Sequence, residues 1–156
     1  MNRVPAFDRA VQKAYEWLDE IDAELGWSDR ERAHAALRGT LHAVRDRLPV
    51  DEAADLAAQL PQLVRGIYYE GWDPSWTPVR IRHMEEFLGP VAHALSGRPG
   101  TEPEAAARTV LAVLTRHLSA GEIGDVVGAM PADIRELFPP AAIAAWQEQM
   151  APASVA

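Results

Sequence analysis

Apolar residues recur along the chain in steps of three and four. Phe7, Val11, Ala14, Leu18, Ile21 and Leu25 form one stripe, and Ile81, Met84, Leu88, Val91 and Leu95 form another. Such steps place side chains on one face of an α-helix, so each stretch is predicted to be an amphipathic helix that buries this face. Trp17 and Phe87 widen the two faces. Leu37, Leu41, Val44 and Leu48 mark a second helix, opened by Ser28 and Glu31 at capping-box spacing. Leu111, Leu114 and Leu118 mark another, opened by Thr101 and Glu104. Short helices are expected to begin at Pro49 to Glu52 and at Ser119 to Glu122, and to end at Pro61 and Pro131. Each of these two prolines is tolerated in the first turn of a further short helix, carrying Leu63, Val64 and Ile67 in one case and Ile134, Leu137 and Phe138 in the other. No stretch alternates with the period of two that a strand requires. The predicted fold class is all-α.

The stripes come in pairs because the chain matches itself. Shifted by 70 positions, residues 7–76 align with 77–146 without a gap, and 13 of the 70 pairs are identical, against roughly five by chance. Among the identities are Leu41/Leu111, Glu52/Glu122, Asp55/Asp125, Arg65/Arg135 and Trp76/Trp146. The expected organisation is an N-terminal arm (1–6), two tandem helical-bundle repeats of three to four helices each (7–76 and 77–146) packed into one compact domain, and a C-terminal tail (147–156) that frays after Met150.

Composition narrows the function classes. Fifteen Lys and Arg against 23 Asp and Glu give a net charge of −8, which disfavours a broad face for nucleic acid or anionic lipid. With no cysteine, disulfides, Cys-ligated metals and thiol catalysis are excluded. The charged N-terminal stretch lacks the apolar run of a secretion signal, and no stretch is long and apolar enough for a membrane span. The expectation is a cytoplasmic protein with no nucleic acid or membrane partner.

Arg65 and Arg135 each follow a proline by four residues. They are predicted to brace their own repeats by reaching Glu52 or Asp55, and Glu122 or Asp125, on the preceding helix; Arg38 and Arg108 read in the same way. The stretch from Tyr68 to Pro78 joins the repeats and holds four aromatics, Tyr68, Tyr69, Trp72 and Trp76, punctuated by glycine and proline. Tyr68, Tyr69, Trp72, Arg80 and His83 are the candidate binding residues, the alternative being that the rings only fill a seam. Trp76 has a counterpart in Trp146 and is expected to be structural. Trp72 aligns with Ala142 and is the expected site residue. The five histidines form no metal-ligand pattern, and no catalytic residues, metal or cofactor are expected. Glu16, Asp19, Glu20, Asp22 and Glu24 read as a solvated face, or as a dock for a basic partner.

The segment Leu60-Pro61-Gln62-Leu63-Val64-Arg65-Gly66-Ile67-Tyr68-Tyr69-Glu70-Gly71-Trp72-Asp73-Pro74, continued by Arg82-His83-Met84-Glu85-Glu86-Phe87-Leu88, resembles the bacterial helical family known as domain of unknown function 2267. Met130-Pro131-Ala132-Asp133-Ile134-Arg135-Glu136-Leu137-Phe138 resembles its second half. The resemblance implies a helical fold and a bacterial source, and carries no activity or site residues with it. A non-catalytic regulatory or scaffolding protein acting through protein contacts is the first functional expectation, with an unidentified protein partner or a homo-oligomer both open. A small-ligand sensor using the aromatic joint is the second, and an enzyme the third.

Overall fold

The computed structural model describes residues 2–152, which contain nine α-helices and no strand. Helix α1 (Pro5–Leu25) opens on a proline and ends at Gly26, whose φ of 65° suits a residue without a Cβ. Helix α2 (Arg30–Arg47) is capped by Asp29, whose carboxylate accepts the Glu31 and Arg32 N–H groups at 3.1 Å. The expected cap, Ser28, lies instead in the preceding turn, at a φ of 51°. Helices α3 (Val50–Ala58) and α4 (Gln62–Tyr69) follow, and α4 starts directly after Pro61. A joint with one 3-10 turn (Pro74–Trp76) leads to α5 (Met84–Ala94). Helix α6 (Pro103–His117) opens on its own proline, and the hydroxyl of Thr101, the expected cap, has no hydrogen-bond partner among the described residues. Helix α7 (Ala120–Gly128) is capped by Ser119 as expected, and α8 (Ala132–Arg135) and α9 (Pro140–Met150) complete the series.

Two expected boundaries shift. The helix begins at Pro5, inside the expected arm, and α9 carries helix to Met150, inside the expected tail; Met1 and residues 153–156 lie outside the described residues. Helix α9 was not predicted. In the 70-residue register it aligns with the joint, where Gly71, Pro74 and Pro78 forbid a helix, whereas Ala141, Ala142, Ala144, Ala145 and Gln147 favour one.

Helices α1, α2, α5 and α6 form the main layer, with α2 packed against α1, α4, α5 and α6. Its most extensive contact is with α5, from the other half of the chain. The approach is close because position 39 is glycine: a Cβ there would lie 2.9 Å from both the Val91 Cα and the Ala94 Cβ. Leu41 and Leu111 are both fully buried. No helix among the described residues is long and apolar enough to cross a membrane.

The first apolar stripe departs from expectation. Trp17 and Ile21 are buried, yet Phe7 is 70% exposed and Val11 45%. Helix α1 packs on α2, α4 and α6, and these contacts bury Trp17 and Ile21 in its second half while its first turns stay exposed. The acidic run is largely consumed within the molecule. Asp19 takes two 2.9 Å bonds from Arg30, Asp22 accepts the Asp29 N–H, Glu24 pairs with Arg116 at 2.7 Å, and Glu20 bonds His117, whose ring stacks on Trp17. These acids fasten α1 to α2 and α6.

Gly39→Ala should destabilise the protein by about 1–3 kcal/mol in urea unfolding, because the new methyl meets backbone that cannot turn away. Gly66→Ala, in α4 with open space around it, should be neutral or stabilising by up to about 1 kcal/mol. Equal effects at both positions would show that the α2–α5 crossing is not close-packed.

Candidate functional site

The joint between α4 and α5 is held by three consecutive residues in the last turn of α2. Arg45, only 3% exposed, donates from one guanidinium nitrogen to the carbonyls of Tyr68 (2.8 Å) and Glu70 (2.6 Å), while the rest of the fork pairs with Asp46 at 2.8 and 3.1 Å. The Asp46 carbonyl accepts the Val79 N–H at 2.7 Å. Arg47 Nε donates to the Ile81 carbonyl at 3.0 Å. Between these anchors, Asp73 caps the 3-10 turn by accepting the Ser75 N–H and hydroxyl, and these bonds hold its carboxyl below the usual range. A segment broken by Gly71, Pro74 and Pro78 cannot satisfy its own backbone groups, and α2 supplies the missing partners.

This scaffold divides the predicted binding residues into two groups. Tyr68 is fully buried, its hydroxyl donating to the Ala53 carbonyl at 2.7 Å, and burial pushes its pKa far up. Tyr69 is half-buried, with ring centroids 5.3 Å from those of both Tyr68 and Trp72. The indole N–H of the half-buried Trp72 finds no acceptor among the described residues. These three rings pack the joint against the core. Arg80 and His83 are exposed, and of the two tryptophans Trp76, expected to be structural, is the more exposed, while Trp72 is half-buried. Trp76 is 49% exposed and lines an open groove of about 620 Å³ together with Arg47, Arg80 and Arg82. Its sequence counterpart, Trp146, sits in α9 under the Arg135 guanidinium, 4.4 Å from ring centroid to Cζ, because helix replaces the loop there.

The braces are also corrected. Arg65 donates to the carbonyls of Ala57 and Leu60, both at 2.8 Å, and Arg135 to that of Met130 at 3.0 Å. Neither forms an ion pair among the described residues. Each guanidinium satisfies a carbonyl left open where the helix before its proline ends, that of Leu60 or Met130, and Arg65 adds a second bond to the Ala57 carbonyl, which also accepts the Leu60 N–H. Arg38 does pair with an acid, Glu70 at 3.6 Å, and Arg108 reaches Glu104 and the Glu136 carbonyl.

The acids expected to receive Arg65 and Arg135 instead face one another. Glu52 on α3 meets Glu122 and Asp125 on α7, with carboxylate oxygens within 4.8 Å of each other. Glu122 is only 8% exposed. Burial first, then the bond and charge of Glu52, push its pKa up to about 8; burial likewise raises that of Glu52. The arrangement suits a carboxyl pair sharing one proton, and these three are the residues whose oxygens are close enough together to surround a cation. Two half-buried histidines are committed elsewhere: His42 Nε2 lies 2.7 Å from the Ile67 carbonyl, and His117 bonds Glu20.

Sequence reasoning missed Arg45, Arg47 and Arg82. The available signal was Arg45 itself, a charge four residues after Leu41 and next to Val44, on the buried side of an otherwise apolar helix face. The family described as uncharacterized conserved protein (DUF2267) matches the chain over residues 14–137. No match was found among curated proteins.

Arg45→Gln should lower stability by about 3–5 kcal/mol, since it strands two carbonyls and Asp46; urea unfolding measures it, and a loss under about 1 kcal/mol would mean the joint holds without this anchor. Glu122 has a folded pKa above its unfolded value, so its contribution is fully present below the ordinary glutamate pKa of 4.5 and is lost as pH rises through about 8. Melting temperatures of Glu122→Gln should therefore gain on the wild type steadily across that window. A constant difference would show that Glu122 does not titrate there.

Proposed function

The chain belongs to the DUF2267 family of uncharacterized conserved proteins, and on that premise we propose a non-catalytic regulatory or scaffolding protein that acts through protein contacts, docking through the first turns of α1. The observation that carries this reading is the row of exposed apolar side chains Phe7, Val11 and Tyr15 on α1, preceded by Val4 at its N-cap, with the Arg30 guanidinium over the Tyr15 ring at its far end. Steps of four put Phe7, Val11 and Tyr15 on one helix face, and large apolar groups aligned on a surface favour a covered state. The occupant proposed is a second copy. Phe7 and Tyr15 lie four residues on either side of Val11, so two α1 helices crossing antiparallel at Val11 would set Phe7 against Tyr15 at both ends, as a two-fold contact requires. His42 and His117, two of the three half-buried histidines, are engaged with a carbonyl and a glutamate, which favours a structural duty for both.

We also propose that the chain is a tandem duplication. In support, α2 and α6 stop at Arg47 and His117, α3 and α7 span Val50–Ala58 and Ala120–Gly128, and α4 and α8 begin at Gln62 and Ala132, each pair offset by 70 residues.

Light scattering on the purified protein should give a dimer mass, and Phe7→Asp with Val11→Asp a monomer of unchanged helicity. A monomeric wild type that is cross-linked through α1 to another protein would replace the second copy as occupant. A double variant that dimerises as the wild type does would remove α1 as the docking face.

A further inference from the structure

The basic side chains of this acidic protein are mostly spoken for. Among the described residues, eight of the 15 Lys and Arg form ion pairs, and Arg65 and Arg135 bind backbone carbonyls. Of the remaining five, Arg47, Arg80 and Arg82 line one groove, and among the described residues no acid lines it with them. The half-exposed Trp76 ring forms part of the same wall. A second groove of about 520 Å³ continues past Arg47 and Arg82 to His83. Its one acid, Asp133, accepts the Met84 N–H at 2.6 Å and so is tied to the start of α5.

We propose that this groove binds a small organic phosphate carrying a flat aromatic ring, of the nucleoside monophosphate kind, with the phosphate on Arg47 and Arg82 and the ring against Trp76. Three considerations select this class. Guanidinium groups without a carboxylate partner are the side chains best matched to phosphate oxygens, which they bind in bidentate fashion. Gathering like charges in a partly buried place is unfavourable until an anion arrives. Arg47 registers that cost, since burial and then the nearby Arg82 cation hold its pKa below the usual range. Finally, a half-exposed indole beside the cations offers a stacking face to a planar ring, and the groove volume falls within the ordinary range for small-ligand sites.

The rim of the groove is fixed by contacts the ligand does not have to make. Arg47 is already oriented by its bond to the Ile81 carbonyl, and Val79 is held by Asp46. Arg80 and Arg82 project from that held segment and are exposed, so they can be replaced without disturbing the core. The site is distinct from the α1 face proposed above, and either can fail without the other.

The test is isothermal calorimetry with adenosine monophosphate, adenosine and inorganic phosphate, on the wild type, Arg80→Gln with Arg82→Gln, and Trp76→Ala. Adenosine monophosphate should bind the wild type with an affinity that falls as salt rises. The double arginine variant should lose at least about tenfold in affinity, and Trp76→Ala a comparable factor, with each variant's melting temperature confirming that it is folded. Adenosine and inorganic phosphate should each bind more weakly than the combined ligand. Absence of binding by adenosine monophosphate would falsify the proposal, as would binding that neither variant weakens. Phosphate binding as tightly as the nucleotide would overturn the role given to Trp76, and with it the ligand class.

Discussion

The buried guanidinium of Arg45 is the interaction on which the arrangement of this chain turns. The stretch between α4 and α5 is too rich in glycine and proline to form a helix and has no sheet to join, so its carbonyls need donors from elsewhere. Arg45 provides them from inside the core, and the carboxylate next to it in sequence keeps the charge from being stranded there. Asp46 and Arg47 extend the same turn outward to Val79 and Ile81. One helical turn therefore fixes where the second half of the chain begins and shapes the groove lined by Trp76.

Net charge conceals how this protein uses its acids. The −8 surplus suggests a repulsive shell, yet Asp19, Glu20 and Glu24 are spent on holding α1 to its neighbours. At the α3–α7 contact the acids face each other and are kept from repulsion by a raised pKa. The arginines lining the groove are left without acids for the same reason: the acids lie elsewhere, at contacts between helices.

The sequence was most informative where one helix face meets a core. Periodicity placed α2, α3, α6 and α7 well, and Ser119 announced the start of α7. It failed for α1, because an apolar stripe records what can be buried and not whether neighbouring helices reach far enough to cover it; α2, α4 and α6 bury Trp17 and Ile21 and leave Phe7 and Val11 exposed. The braces were legible as residues and not as bonds. A repeated Arg four positions after a proline marks a structural duty, but a free carbonyl leaves no trace in the residue type, so acids were expected where the backbone was the partner. The joint was legible as a place, while the split between Tyr68, buried in the core, and Trp76, lining the groove, depended on three residues of α2 that lie far from it in sequence.

The contacts between α1 and the end of α6 span 92 and 97 residues, for Glu24 with Arg116 and Glu20 with His117. Helical bundles ordinarily gain from contacts close in sequence, which form early. Here the first helix meets α2 through bonds 7 and 11 residues apart, but its bonds to α6 wait for three-quarters of the chain. As the chain is synthesised from its N-terminus, Trp17 emerges long before His117, the ring that will stack on it. Helix α1 thus works as a hinge pin with two fastenings, one to α2 available as soon as Arg30 is made and one to α6 that needs the chain to reach His117.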